Sequence, residues 1–126
     1  LRGLLDPIDR EIIVFSVRSH EAFRDSGPAP TAEANLVSGA LYDADKFRWG
    51  PDNFTDTVWD MAEAMRIDPG MIIERYEEGV RGIVRIRDTF RTATGRRYGP
   101  DFIDRGLAIG ELLVARLREN MDGLSR

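Results

Sequence analysis

The chain has 126 residues, a mass of 14.3 kDa, one histidine and no cysteine, so it forms one domain or part of one and has no disulfide or thiolate metal site. With no cysteine to protect, a cytoplasmic setting is the default expectation. A net charge of −4, split as 6 basic against 12 acidic residues in 1–63 and 12 against 10 in 64–126, argues against a nucleic-acid partner, and no apolar run is long enough to span a bilayer.

In chain order the pattern is helical throughout. The first six residues lack signal-peptide architecture and an initiator Met, which suggests that the native chain extends upstream. Asp6-Pro7 is a start signal, an acidic cap followed by Pro at the first helical position. Ile8, Ile12, Phe15 and Ala22 then share one face, with Ile13 and Val17 beside it. The stretch Asp25 to Pro30 breaks this helix. Thr31 caps a second helix with apolar positions Ala34, Leu36, Val37, Ala40 and Leu41. It runs into Leu41-Tyr42-Asp43-Ala44-Asp45-Lys46-Phe47.

Residues 48–54 are expected to form a loop. A short third helix starts at Thr55 or Asp56 and carries Val58, Trp59, Ala62 and Met65. Asp68-Pro69 repeats the start signal, and a long helix is expected to run to about Thr92. Gly99-Pro100 is expected to open the last helix, with residues 120–126 fraying beyond it. Gly79 and Gly82 in one helix and Gly106 and Gly110 in the next suggest two glycine faces packed on each other; neutral, tolerated glycines are the other reading.

Two acids close to a helix end are the most informative feature. A buried carboxylate is costly unless paired, and a divalent metal is one functional solution. Residues two apart point about 200° apart on a helix, so Asp43 and Asp45 cannot both face one ion. Asp45 follows Leu41 by four and Val37 by eight, so it is the expected inward residue, while Asp43 is placed to pair with Lys46. Two ordinary surface acids are the plain alternative. His20, near the end of the first helix, is either a surface histidine or a ligand or proton donor beside Asp45. Arg81, Arg85, Arg87, Arg91, Arg96 and Arg97 form either a phosphate-binding group or a solvated face neutralised by Glu74, Glu77, Glu78 and Asp88.

An isolated His, a Pro-rich loop and a helix ending in Leu-Tyr-Asp-Ala-Asp-Lys-Phe resemble the second half of the HD-domain metal-dependent phosphohydrolases, over residues 8–54. The resemblance implies an all-α fold of about five helices. Residues 1–54 would be the second half of an HD-like helical bundle, and 55–126 a C-terminal helical extension packing on it as one unit. It implies a divalent metal held by a His, a His-Asp pair and a later Asp that matches Asp45. His20 resembles the histidine near a second metal or the substrate phosphate, with the catalytic role of orienting substrate or protonating the leaving oxygen. Arg18, Lys46 and Asp43 are the candidate phosphate-site residues, from their proximity to His20 and Asp45 in the sequence. The substrate would be a small phosphate ester such as a nucleotide, attacked by a metal-activated water.

The first His and the His-Asp pair of that family do not occur in residues 1–126. The expectation is therefore the back part of a longer enzyme, or a variant that has lost its site, with weak metal binding by this chain alone. The alternative is a non-catalytic helical interaction module, or a self-associating homo-dimer whose uncovered apolar faces meet. The enzyme reading needs Asp45 buried beside His20; the module reading needs Asp45 exposed or salt-bridged and an apolar groove elsewhere.

Overall fold

The computed structural model describes residue 3 and residues 5–124, with residues 122 and 124 described by backbone alone. The fold is all-α: α1 Pro7–Ser19, α2 Ala32–Phe47, a π-helical turn Asn53–Thr57, α3 Val58–Met65, α4 Pro69–Ile86 and α5 Ala93–Leu124. None of these helices is long and apolar enough to cross a membrane.

The expected caps are in place. Asp6 accepts from the Ile8 amide, Thr31 from Ala34 and Asp68 from Gly70, each satisfying an N–H that the first helical turn leaves open. α1 and α2 pack through small side chains. Ser16 and Ser19 are buried on one helix and Ala34, Ser38 and Gly39 on the other, which lets the backbones approach. Lys46 Nζ reaches the carbonyl of His20 at 3.1 Å, so the C-terminal ends of the two helices meet. They therefore run in the same direction, and residues 20–31 return along them. Phe23 in this return has φ 64°, a left-handed conformation uncommon for a bulky residue, and its ring lies 4.5 Å from the Arg85 guanidinium.

The core gathers Phe54, Ile83, Phe90 and Ile103, with Phe47, Trp49, Tyr76 and Leu107 packed around them. Phe47 touches Phe90 and Phe102 at ring separations of 5.3 and 5.5 Å. Residues on both sides of position 54 thus share one apolar cluster. Arg87 forks onto Asp104 at 2.6 and 2.7 Å and ties the end of α4 to α5.

Several expected boundaries are corrected. Residues 51 and 52 are helical and 53–57 form the π turn, so the expected loop is confined to 48–50. Trp59 donates its indole N–H to the Phe54 carbonyl at 2.6 Å, fixing that turn from one side. α4 stops at Ile86 rather than Thr92, and α5 opens at Ala93 with Pro100 inside it. Pro100 lacks the N–H that would reach back one turn, which reads locally as a helix start. Packing overrides it, because the first turn of α5 is fixed by Asp43 and by the Thr92 hydroxyl, which accepts from Gly95 N–H at 2.9 Å. α5 continues through 120–124 where fraying was expected; residues 125 and 126 lie outside the described residues.

The glycine pairing is also corrected. Gly79 and Gly82 face open space, whereas Gly106 packs on the backbone of Trp49 and Gly50, and Gly110 on Phe54 and the Tyr76 hydroxyl. α5 uses its glycines to admit the turn after α2, and α4 does not need its own.

Candidate functional site

The two acids at the end of α2 have exchanged their expected places. Asp43 is buried, at 4% exposure, and Asp45 keeps 30% of its side chain in solvent. Asp43 points toward α5, where it accepts from Arg91 N at 2.7 Å, Thr92 N at 2.9 Å and Thr92 Oγ1 at 2.6 Å. The expected Asp43–Lys46 pair is not formed. The apolar stripe through Val37 and Leu41 that marked Asp45 as inward is itself 39% exposed at both residues, so continuing it leads to the surface. This carboxylate holds the amides of the two residues that lead into the longest helix and sits at the positive end of its dipole. The Asp43 carboxylate is thereby committed to structure.

Asp45 lies with His20 and Lys46 where α1 and α2 end. Lys46 Nζ is 2.5 Å from Asp45 Oδ2, donates to the His20 carbonyl and sits 4.8 Å from the Tyr42 ring centroid. Its ammonium is buried and held by these three partners, so it neutralises Asp45 rather than extending into solvent. Arg48, not singled out from the sequence although it follows Asp45 by three, adds a second cation at 3.9 Å from Oδ1. Burial pushes the Asp45 carboxyl up. The hydrogen bond and charge of Lys46, with Arg48 and His20, outweigh it and hold the group below its ordinary value of 3.8.

His20 contributes through its tautomer. Its Nδ1 faces the Val17 carbonyl, which can only accept, so Nδ1 carries a hydrogen and, in the neutral ring, the lone pair lies on Nε2. This is the arrangement that prepares an imidazole as a metal ligand or proton acceptor. Arg18 does not join the group. It lies two residues, about 200° around α1, from His20, and it is exposed beside Glu11 and Val14. Arg91, one of the six arginines noted, stacks its guanidinium 3.7 Å from the Tyr42 ring centroid and donates to the Ser19 carbonyl. Tyr42 in turn donates to Thr89 at 2.6 Å.

The surroundings of Asp45 and His20 are open and apolar. With about 100° per residue, Ile13 and Val17 of α1 and Val37 and Leu41 of α2 fall on one side of the parallel pair, away from α4 and α5. Their exposures are 45%, 54%, 39% and 39%. His20 and Asp45 lie at the C-terminal end of this uncovered face.

Asp45 and His20 offer two donors to a metal, and among the described residues no three His, Asp or Glu side chains converge. A stable site takes three or four protein ligands. Among the described residues, Asp45 and His20 do not by themselves make up such a ligand set.

The Asp45 cluster has a pH signature. Its folded pKa is depressed, so its contribution to stability is fully present above the unfolded value near 3.8 and is lost as pH falls through the lower folded value. Asp45→Asn is expected to flatten the acid limb of a stability–pH curve below about pH 4 and leave its slope above pH 6 unchanged. Urea unfolding across that range checks it; an unchanged acid limb would count against the ion-paired carboxylate.

Comparison with protein-family models, with curated proteins and with solved structures finds no match to the chain.

Proposed function

We propose that residues 1–126 are the Asp-bearing part of a metal-dependent phosphohydrolase of the HD type. The missing ligands would come from outside these residues and be carried on helical structure that covers the α1/α2 face. The observation that supports this reading is the position of Asp45 and the free Nε2 of His20 at the end of an uncovered apolar surface. The chain exposes 9276 Å², against about 6,800 Å² for a compact monomer of this mass. The surplus of roughly 2,500 Å² on this one side is about what a large obligate contact buries per partner.

In this proposal Asp45 stays anionic and contributes one ligand oxygen. His20 holds or delivers a proton at a substrate oxygen through Nε2. Lys46 balances the carboxylate from within the protein, and Arg48, 61% exposed at its side chain beside Asp45 and Trp49, is the more accessible cation for phosphate. The substrate class is a small phosphate ester such as a nucleotide, in a cytoplasmic enzyme. No chemical step is assigned to the metal, because the chain does not hold a complete ligand set.

The test compares residues 1–126 with the full native gene product, by Mn²⁺ titration and by hydrolysis of p-nitrophenyl phosphate with added Mn²⁺. Residues 1–126 alone are expected to bind weakly and hydrolyse little. In the full product, Asp45→Ala is expected to cost more than the roughly 10–100-fold that follows loss of an outer-shell partner. Full activity with Asp45→Ala would overturn the assignment. Tight stoichiometric binding by residues 1–126, abolished by the same change, would overturn the incomplete ligand set.

A second reading rests on a different observation. Asp45 keeps 30% of its side chain in solvent and is ion-paired with Lys46 and Arg48, and an apolar cleft opens elsewhere, which meets the requirement of a non-catalytic helical module and not the buried Asp45 that the enzyme reading needs. In that case Leu41→Glu, on the uncovered face, disrupts assembly with a partner or a second copy, while Asp45→Ala has no effect on it.

A further inference from the structure

A cleft of about 290 Å³ opens between the π turn and α4. Its walls are almost entirely apolar, built from Phe54, Val58, Ile72, Val80 and Ile83. Three features separate it from an ordinary packing gap.

The first is Gly79, which borders the cleft on α4 and has nothing within 4 Å of where a Cβ would stand. The cleft stays open there because a side chain is missing. The second is Trp49. Its ring lines the cleft and its buried indole N–H has no hydrogen-bond partner, whereas the N–H of Trp59 is satisfied by Phe54. An unpaired buried donor is destabilising and calls for an explanation. The third is Arg75 at the same cleft. Among the described residues it makes no ion pair or hydrogen bond, although Glu74 and Glu78 share its helix. An unneutralised guanidinium beside an apolar cavity complements an anion attached to an apolar body. The wall that carries Phe54 is itself a π turn, a distortion that occurs often at functional sites.

We infer that this cleft binds a small apolar monocarboxylate, with its hydrocarbon or aromatic part between Phe54 and Ile83 and its carboxylate on Arg75. The site is separate from the Asp45 group and does not depend on the phosphohydrolase reading.

The chain contains two tryptophans, and their indole N–H signals give a direct readout. The experiment titrates the ¹⁵N-labelled chain with 4-phenylbutyrate and, separately, with butylbenzene, the Trp49 signal being identified by its loss in Trp49→Phe. A saturable shift of the Trp49 signal is expected with 4-phenylbutyrate, larger than any at Trp59. Butylbenzene, lacking the carboxylate, is expected to bind at least tenfold more weakly. Arg75→Gln should weaken 4-phenylbutyrate about tenfold and leave butylbenzene unchanged. Gly79→Leu fills the cleft from a helix position with open space, so it should abolish the shift while the thermal midpoint holds or rises. No saturable shift would overturn the site. Equal binding by Gly79→Leu would place the ligand elsewhere, and equal affinity of Arg75→Gln for 4-phenylbutyrate would overturn the carboxylate assignment.

Discussion

Asp43→Ala is expected to remove roughly 3–5 kcal/mol of folding stability, the largest single-residue effect in the chain outside wholesale core truncation. The change deletes three hydrogen bonds to a charged acceptor at once. It also leaves the amides of Arg91 and Thr92 without their acceptor, so the loss includes desolvated donors as well as missing bonds. A small domain is stable by only about 5–15 kcal/mol, so α5 should lose its fixed start or the chain should fail to fold. Asp43→Asn keeps the shape but turns an NH₂ toward N–H donors, and its cost should lie between wild type and Ala. Urea unfolding measures all three. A loss below about 1 kcal/mol for Asp43→Ala would show that α5 does not depend on this carboxylate.

The second large effect is expected from a single methyl group. An added Cβ at Gly106 would stand 2.6 Å from the Trp49 carbonyl oxygen and 2.7 Å from the Gly50 carbonyl carbon. Both obstacles are backbone, so no side chain can swing aside and the turn after α2 must move away from α5. Overpacking of this kind costs about 1–3 kcal/mol, and a rigid obstacle puts Gly106→Ala at or above the upper end. Gly79→Ala is the matched control. It meets nothing and gains the helix propensity of Ala, so it should stabilise by up to about 1 kcal/mol. Thermal melts of the two variants should move in opposite directions. Equal shifts would mean that the close approach of α5 to residues 49–50 is not maintained in solution.

Helix identity was legible wherever caps and periodicity agreed. Asp6-Pro7, Thr31 and Asp68-Pro69 each announce a helix through chemistry that acts within three residues. Boundaries failed where the deciding contact is remote. Pro100 reads locally as a start, yet α5 begins seven residues earlier because Asp43 reaches it from α2. The same remoteness reversed the two acids. Periodicity predicts which face is apolar, and here the apolar face of α2 through Val37 and Leu41 is uncovered, so its Asp stayed at the surface while the off-stripe Asp was buried. For His20 the sequence left two readings open, a surface histidine or a group beside Asp45, and the meeting of the two helix ends that brings them together depends on contacts between residues 26 apart. The absence of Arg18 from that group follows from helical geometry that a count along the chain does not carry.

The bond between Asp43 and the start of α5 has a consequence for how the longest helix comes into being. The first turn of a helix fixes several residues for a single hydrogen bond, so an isolated start is disfavoured by a factor of about 10³. The two residues that lead into α5 are held, and the capping hydroxyl of Thr92 with them, by a side chain 48 and 49 residues earlier in the sequence. The nucleus of α5 therefore belongs to α2, and the position at which the helix begins is set by the register of a different helix.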